Sequence, residues 1–415
     1  MVPRILHLLS QRPGLTGSGA TLNSLVRFAE LGGWEQRVVV GTPASDPRPD
    51  VGGLDPGKVH PLIFEQDRLD FPVPGMSDVM PYPSTRFSDL RPEQLRRYRQ
   101  AFRARIGELI REFRPNLVHS HHVWLMSSLV KTLAPRVPQL IHCHSTGLRQ
   151  LRLCPHLRRE VRTGCSRADV FVVLNQEDAW SLVRAVGVHA SRVIINPSGY
   201  DADLFHPRGR GPEQAPELVY VGKFAEAKGL PSLLDAVEAL SPEIPGLRLH
   251  VAGTGSGEAA VEMARRMDAM PQVQRHGQLE PAQLAPLMRR ASVCVLPSFY
   301  EGVPLVLVEG LASGCRVVAT KLAGIRDEIH PLAPDSVELV DPPRIDPPDR
   351  PRAEDLPAFV ERLAAALRGA LGKPAPAQPD LDRYTGQAAF LRMQEIWMRL
   401  SAIRARAGTA RAPQG

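Results

Sequence analysis

The feature that most constrains this chain is an alternation of short apolar runs with helical stretches, which runs through it twice. In the first half, residues 4–9, 37–40, 116–119, 139–142, 170–174 and 193–196 read as buried strands. Helical stretches fall between them, at 22–31 and 93–113. In the second of these Leu95, Tyr98, Phe102, Ile106, Leu109 and Phe113 recur at helical spacing. The pattern begins afresh at 218–221 and continues through strands at 247–252, 293–297 and 316–320, with helices at 359–371 and 384–400. Apolar strands alternating with helices imply parallel sheets covered on both faces. The expected class is therefore α/β: two doubly wound domains, facing each other across a cleft that lies beyond the carboxyl ends of their strands. The boundaries expected are 1–196, a Gly- and Pro-rich linker at 197–216, 217–378, a final helix at 379–401, and a disordered tail at 402–415. Proline-rich stretches at 43–92 and 331–357 read as surface loops.

Composition narrows the class. The 415 residues are 43% hydrophobic and 23% charged, the balance of a globular protein. No apolar run approaches a membrane span, and residues 1–15 lack the pattern of a signal peptide. Cys143, Cys154, Cys165, Cys294 and Cys315 are odd in number and not closely paired. That argues against a disulfide framework or a zinc ribbon and fits a reducing cytoplasm. The net charge of +7 is unevenly spread, because residues 91–167 hold 16 basic and 4 acidic side chains. Such an excess points to nucleic acid, a membrane surface or an anionic substrate.

Glycine-bearing loops follow several strands. Residues 14–21 fall one residue short of a Walker A motif, with Ala20 where the lysine would stand. They also fail the dinucleotide fingerprint, as does 253–257, where Glu258 takes the place of the last glycine. A nucleotide triphosphatase and a dehydrogenase are both disfavoured. Each loop remains either a tight turn or a place where backbone N–H groups approach a phosphate. After the strand at 218–221, Lys223 and Lys228 lie close together ahead of Pro231, which opens a helix. Two ammonium groups beside a helix N-terminus make a diphosphate site; a solvated turn is the plainer alternative. After the strand at 293–297, Glu301 precedes Gly302, Val303, Pro304 and Leu305, and Glu309 lies within the helix that follows. A carboxylate there accepts hydrogen bonds from sugar or ribose hydroxyls, unless the pair is merely a helix cap and a surface glutamate.

Taken in order, these pieces resemble the retaining glycosyltransferases of family 4, which have the GT-B fold of two Rossmann-like domains. The matching pieces are 221–223 with 228–229, 251–255, 301–309 and 317–324 in the second half, and Gly17 to Gly19, 118–122 and 142–146 in the first. Together they cover most of residues 4–330. The resemblance implies that Lys223 and Lys228 hold the donor diphosphate and that Glu309 binds the ribose. Glu301 would contact the transferred sugar, with the backbone of Gly302, Val303, Pro304 and Leu305 beside it. Gly17 and Gly19 would approach the diphosphate, and His144 would sit near the anomeric carbon. Glu301, Lys228 and His144 are thus the groups expected at the reacting bond. The family needs no metal or cofactor, and its commonest donors are UDP-sugars. The implied activity is hexosyl transfer from a nucleotide-diphospho-sugar to an acceptor hydroxyl on a small molecule, a lipid-linked compound or a polysaccharide precursor. Two departures bear on donor details. Ser198-Gly199-Tyr200-Asp201 stands for Asn-Gly-Val-Asp, and Arg326 and Asp327 stand for proline and glutamate in a later loop. A non-catalytic nucleotide-sugar-binding relative and a sugar epimerase on the same fold are the alternatives; intact Glu301, Glu309, Lys223 and Lys228 argue against the first.

Two clusters remain. Five of thirteen histidines (His119, His121, His122, His142 and His144) lie at two expected strand ends, where side chains more often bind substrate or one another than a metal. The basic region comprises Arg96, Arg97, Arg99, Arg103, Arg105 and Arg111 on helix 93–113, then Arg149, Arg152, Arg158, Arg159, Arg162 and Arg167. It reads either as two arginine-rich surface helices or as an attractor for an anionic acceptor or lipid surface, making the protein peripheral to the inner face of the membrane. It lacks aromatic interleaving and any nucleic-acid-binding motif, so nucleic acid is not an expected partner.

Overall fold

The computed structural model describes residues 3–14, 16–211, 215–346 and 350–409, with side chains up to 402. The chain divides into two compact units. Unit 1 comprises Met1–Asp78, Pro83–Gly199 and Gly386–Gly415; unit 2 comprises Val79–Tyr82 and Tyr200–Thr385.

Unit 1 is built on a seven-stranded parallel sheet. Its strands are β1 (Arg4–Leu9), β2 (Glu35–Pro43), β3 (Val59–Phe64), β4 (Leu117–His121), β5 (Gln139–His142), β6 (Val170–Val173) and β7 (Val193–Ile195), in the order β3-β2-β1-β4-β5-β6-β7. The helices are α1 (Gly17–Leu31), α2 (Pro92–Phe113), α3 (Leu125–Leu133), α4 (Ser145–Leu153), α5 (Arg158–Cys165) and α6 (Gln176–Val186). Central strands buried on both faces need apolar side chains throughout, and Ile5, Leu6, Leu8 and Leu9 of β1 are all fully buried. The apolar stripe read on α2 faces inward, with Tyr98, Phe102 and Ile106 fully buried.

Unit 2 holds a six-stranded parallel sheet. Its strands are β8 (Glu217–Val221), β9 (Arg248–Ala252), β10 (Val273–Gly277), β11 (Val293–Leu296), β12 (Arg316–Thr320) and β13 (Val337–Val340), in the order β10-β9-β8-β11-β12-β13. Helices α7 (Leu230–Leu240), α8 (Glu258–Asp268), α9 (Pro281–Arg290), α10 (Leu305–Ala312) and α11 (Leu356–Leu371) connect and cover it. The last helix, α12 (Gly386–Thr409), belongs to unit 1. There Phe390, Met393, Ile396, Trp397 and Leu400 pack against Ile5, Leu117, Leu140 and Val172.

Four local readings differ from the structure. Residues 17–21 are not loop: α1 begins at Gly17, because the Thr16 hydroxyl accepts a hydrogen bond from the Gly19 N–H at 3.2 Å and caps the first turn. The stretches 43–92 and 331–357, read as loops, contain β3 and β13. β10 also lacks a strand-like run in the sequence, and all three are sheet edges, where one side needs no apolar cover. The final helix runs past 401 to Thr409, through a stretch rich in alanine and arginine, both strong helix formers. Residues 212–214 of the linker and 410–415 of the tail lie outside the described residues. All five cysteines are free and buried, and no helix among the described residues is long and apolar enough to cross a membrane.

Candidate active site

In unit 2 the loops after β8 and β11, neighbouring strands, are bound to each other. The Phe299 N–H donates to the Ala227 carbonyl at 2.9 Å. This brings the Lys228 ammonium 2.6 Å from Glu301 Oε1 and 3.5 Å from the Tyr300 carbonyl. The lysine and glutamate side chains stay 25% and 16% exposed, so the pair remains within reach of a ligand. Lys228 closes a 3₁₀ turn, and Gly229 follows in the left-handed region at φ 65° before α7. A Cβ on Gly229 would overlap the Pro297 carbonyl oxygen. Gly229→Ala therefore strains the backbone and forces the two loops apart, at an expected cost of roughly 1–3 kcal/mol. Gly369 in α11 has open space around it, so Gly369→Ala should instead stabilise by roughly 0.5–1 kcal/mol. Urea unfolding of the two variants checks the contrast, and equal midpoints would refute it.

Lys223 lies on the same loop. Its carbonyl accepts a hydrogen bond from the Tyr220 hydroxyl at 3.0 Å, and its ammonium is 3.8 Å from Met80 Sδ. Burial, reinforced by the Glu301 charge, pushes the Tyr220 hydroxyl up, so it stays a donor. The β8 and β9 loops approach closely: Gly253 sits at φ 137° with its Cα against the Gly222 carbonyl, and the Phe224 N–H donates to Thr254 O at 3.0 Å. Beside these loops, the buried hydroxyls of Thr254 and Ser298 have no hydrogen-bond partner among the described residues. Gly302, Val303, Pro304 and Leu305 form the turn into α10; Pro304 is its N-cap, and no side chain caps the helix. The Leu307 N–H turns back to the Pro304 carbonyl at 3.1 Å, and the N–H groups of Leu305 and Val306 ahead of it are left to a ligand oxygen.

Glu309 lies inside α10. Burial, and secondarily the Asp201 carboxylate, push its carboxyl up to about 7. Raised above the 4.5 of an unperturbed glutamate, the folded chain keeps a proton that the unfolded chain has lost between those values. Stability contributed by the neutral form therefore falls as pH rises from 4.5 through 7, by about 3 kcal/mol in total. Glu309→Gln should remove that slope while folding normally. Unfolding midpoints at pH 5 and pH 8 check this, and a slope unchanged in the variant would refute it.

In unit 1, Gly17 and Gly19 form the first turn of α1 at the carboxyl end of β1. Gln11, a residue that sequence reasoning missed, holds this turn. Its buried amide nitrogen donates to the hydroxyls of Thr16 and Ser18, each at 2.8 Å, and its oxygen accepts from the Met76 N–H at 3.4 Å. Gln150 of α4 grips the same peptide from the other side, donating to Met76 O at 3.2 Å. Arg149 bridges Asp78 at 2.6 Å and is buried, so it leaves the basic surface on which the sequence reading placed it. Long-range side-chain pairings of this kind have no sequence periodicity that could reveal them.

His144 is the N-cap residue of α4 and belongs to a buried row of six histidines. His7 joins from β1, opposite His119, and His121 lies opposite His142. Trp397 of α12 lies against His7 and His119. Burial holds all six imidazoles below their ordinary range, His7 and His122 at about 3 and His142 at about 4, so all are neutral at physiological pH. Nitrogens of His121, His142 and His144 lie within 4.8 Å of one another. Two of these nitrogens are used within the row itself. His121 Nδ1 and His144 Nε2 are spent on each other at 3.0 Å, and the three ring planes are within 19° of parallel.

A family profile described as glycosyl transferases group 1 matches residues 215–342, and one described as Glycosyltransferase Family 4 matches residues 33–204. The chain is 27% identical over 278 residues to a glycogen synthase of Mycobacterium tuberculosis, covering 65% of this chain and 63% of that protein. It thus spans somewhat less than two thirds of that relative. It is 30% identical over 335 residues to a D-inositol 3-phosphate glycosyltransferase of Segniliparus rotundus, covering 72% of this chain and 71% of that protein. Among solved structures, sucrose-phosphate synthase from Thermosynechococcus elongatus matches with a TM-score of 0.67 at 20% identity, over 97% of this chain and 100% of that one. Anabaena HepE in complex with UDP and glucose matches with a TM-score of 0.63 at 14% identity, over 96% and 100%.

Proposed function

Because this chain belongs to glycosyltransferase family 4 and has the GT-B fold of two Rossmann-like domains, we propose that it transfers a sugar from a nucleotide-diphospho-sugar to an acceptor hydroxyl, with retention of anomeric configuration. The observation that carries this reading is the Lys228–Glu301 pair at 2.6 Å, held between the carboxyl ends of two adjacent parallel strands.

In this reading the sugar–phosphate C–O bond breaks and the nucleoside diphosphate departs with the bonding electrons. Its developing charge is stabilised by the ammonium groups of Lys228 and Lys223 and by the N–H groups that open α10. Glu301 accepts hydrogen bonds from hydroxyls of the transferred sugar. It is a poor candidate for a covalent nucleophile, since its carboxylate is already engaged by Lys228. The acceptor hydroxyl attacks the face the diphosphate leaves, and its proton passes to an oxygen of the departing diphosphate. This delivers retention without a protein base and without a metal. Glu309 binds the ribose. In unit 1, we assign Gly17 and Gly19, which open α1 without side-chain bulk, to the donor diphosphate, and His144, a neutral imidazole, to a hydroxyl of the sugar or the acceptor.

UDP is the nucleotide we assign to the donor, supported by the UDP carried in the HepE complex and by the family's usage. A thermal-shift screen of UDP-, GDP-, ADP- and dTDP-sugars tests it, because a ligand that binds only the folded chain raises the midpoint by mass action. A shift with a UDP-sugar, and release of UDP once an acceptor is supplied, is the expected result. A shift with another base would overturn the assignment of UDP, and no shift with any of them would overturn the transferase reading.

A further inference from the structure

The structure divides the basic stretch 91–167 into two unequal parts. On α2 the arginines are largely neutralised: Arg96 by Glu93, Arg97 by Asp70, Arg99 by Glu160 and Arg105 by Glu108. On α5, Arg158, Arg159 and Arg162 are exposed, and no carboxylate among the described residues lies within ion-pairing distance of them. The neighbouring helix, α6, carries Trp180, which is 58% exposed. The other three tryptophans, Trp34, Trp124 and Trp397, are no more than 5% exposed. Basic groups border α6 at both ends. The Arg152 charge acts on Asp178 in its first turn, and the Arg162 guanidinium lies 3.0 Å from where a Cβ on its C-cap, Gly187, would stand. Arg184 lies one turn beyond Trp180 and is exposed; Glu177, one turn before it, is the exposed acid on that helix.

Trp180 is the aromatic among the exposed large hydrophobic side chains of the described residues, and such a side chain gains meaning from what surrounds it. With Arg184 one turn along α6 and further arginines on the adjoining α5, the two helices carry the two chemistries that hold a protein at the surface of an anionic bilayer. The indole settles at the headgroup level, and each cation near the surface adds about 1 kcal/mol of attraction. We propose that α5 and α6, the one carrying the exposed Arg158, Arg159 and Arg162 and the other the exposed Trp180, dock the protein on an anionic lipid surface. The docking is peripheral and does not depend on the sugar-transfer reading. It commits to lipid over nucleic acid because α5 and α6 present one indole among the cations and no array of stacking side chains.

Trp180 is also the probe. Acrylamide quenching and the emission maximum of the full chain are followed as phosphatidylcholine vesicles, with and without phosphatidylglycerol, are added; co-sedimentation gives the bound fraction. With phosphatidylglycerol the exposed emission should shift to the blue and become protected. Without it, or in high salt, neither should happen. Each of Arg158→Gln, Arg159→Gln and Arg162→Gln should lower the partition coefficient roughly fivefold. Trp180→Ala should abolish the spectral change and weaken co-sedimentation, and Arg159→Gln and Trp180→Ala replace exposed side chains that leave the fold intact. Failure to bind anionic vesicles would overturn the proposal. So would binding that these substitutions leave unchanged, or binding to RNA with none to vesicles.

Discussion

Lys228→Ala is expected to lower the rate of sugar transfer by roughly 10²–10³-fold, with most of the loss in kcat. The lysine is placed where the diphosphate gains charge as the sugar leaves, so its contribution grows along the reaction. Removing it also leaves the Glu301 carboxylate, 16% exposed, without the cation 2.6 Å away. Glu301→Gln keeps the shape and a hydrogen-bonding oxygen but loses the charge that holds the ammonium in place, so a fall of about 10²-fold is expected. The measurement is nucleoside diphosphate release with the donor selected by thermal shift, together with an unfolding curve for each variant. Because the pair is partly exposed, the melting points should change little. Near-normal transfer in either variant would remove Lys228 and Glu301 from the reacting centre, whatever the family.

The second large effect concerns stability. Six histidines of unit 1 (His7, His119, His121, His122, His142 and His144) are at most 6% exposed, and burial holds all of them neutral. In the unfolded chain each takes up a proton near its ordinary value of 6.5. Below that value the unfolded state binds more protons than the native one, so stability falls as pH falls. Each group removes up to about 1.4 kcal/mol per pH unit, and six together remove roughly 8 kcal/mol per unit, comparable to the whole stability of a domain. Asp178, pushed up to about 6 chiefly by burial, works in the opposite sense but is a single group. Unit 1 should therefore unfold about one pH unit below the ordinary histidine range, while the unfolding of unit 2 responds far less. Urea midpoints between pH 7.5 and pH 5.5 measure it. His142→Leu sharpens the test, since both its ring nitrogens are buried without a partner. Leucine should fold normally at neutral pH and shallow the slope by one proton. A unit 1 midpoint that stays level over this range would contradict the account.

The strands legible in the sequence are those of the sheet interiors. β1, β4, β5, β8, β11 and β12 sit between other strands and beneath helices, so most of their side chains are apolar, the buried histidines of β1, β4 and β5 apart, and the run announces itself. β3, β10 and β13 are edges whose residues are largely half-buried or exposed. They carry His60, Pro61, Arg275 and Glu338, so local composition resembles loop. The start of α1 was legible in principle. Thr16 is an N-cap type three residues before the Gly19 N–H it binds, but the glycines suggested loop.

The candidate site divides along the same line. Lys223, Lys228 and Glu301 were legible because they stand in short loops directly after apolar runs, with Glu309 in the helix that the last of these loops opens, and a parallel sheet sends all such loops to one end. Chain order alone thus determined the fold class, the two repeats and the side of unit 2 on which these groups gather. The tertiary structure supplied the partners. It paired Lys228 with Glu301 across 73 residues, set Gln11 against Met76 across 65, added His7 to the buried row, withdrew Arg149 to Asp78 and left Trp180 exposed on the helix beside α5. Backbone pattern propagates along the chain through periods of 2 and 3.6 residues, so a linear reading recovers it. Side-chain pairing depends on which faces pack together, and no period in the sequence carries that information.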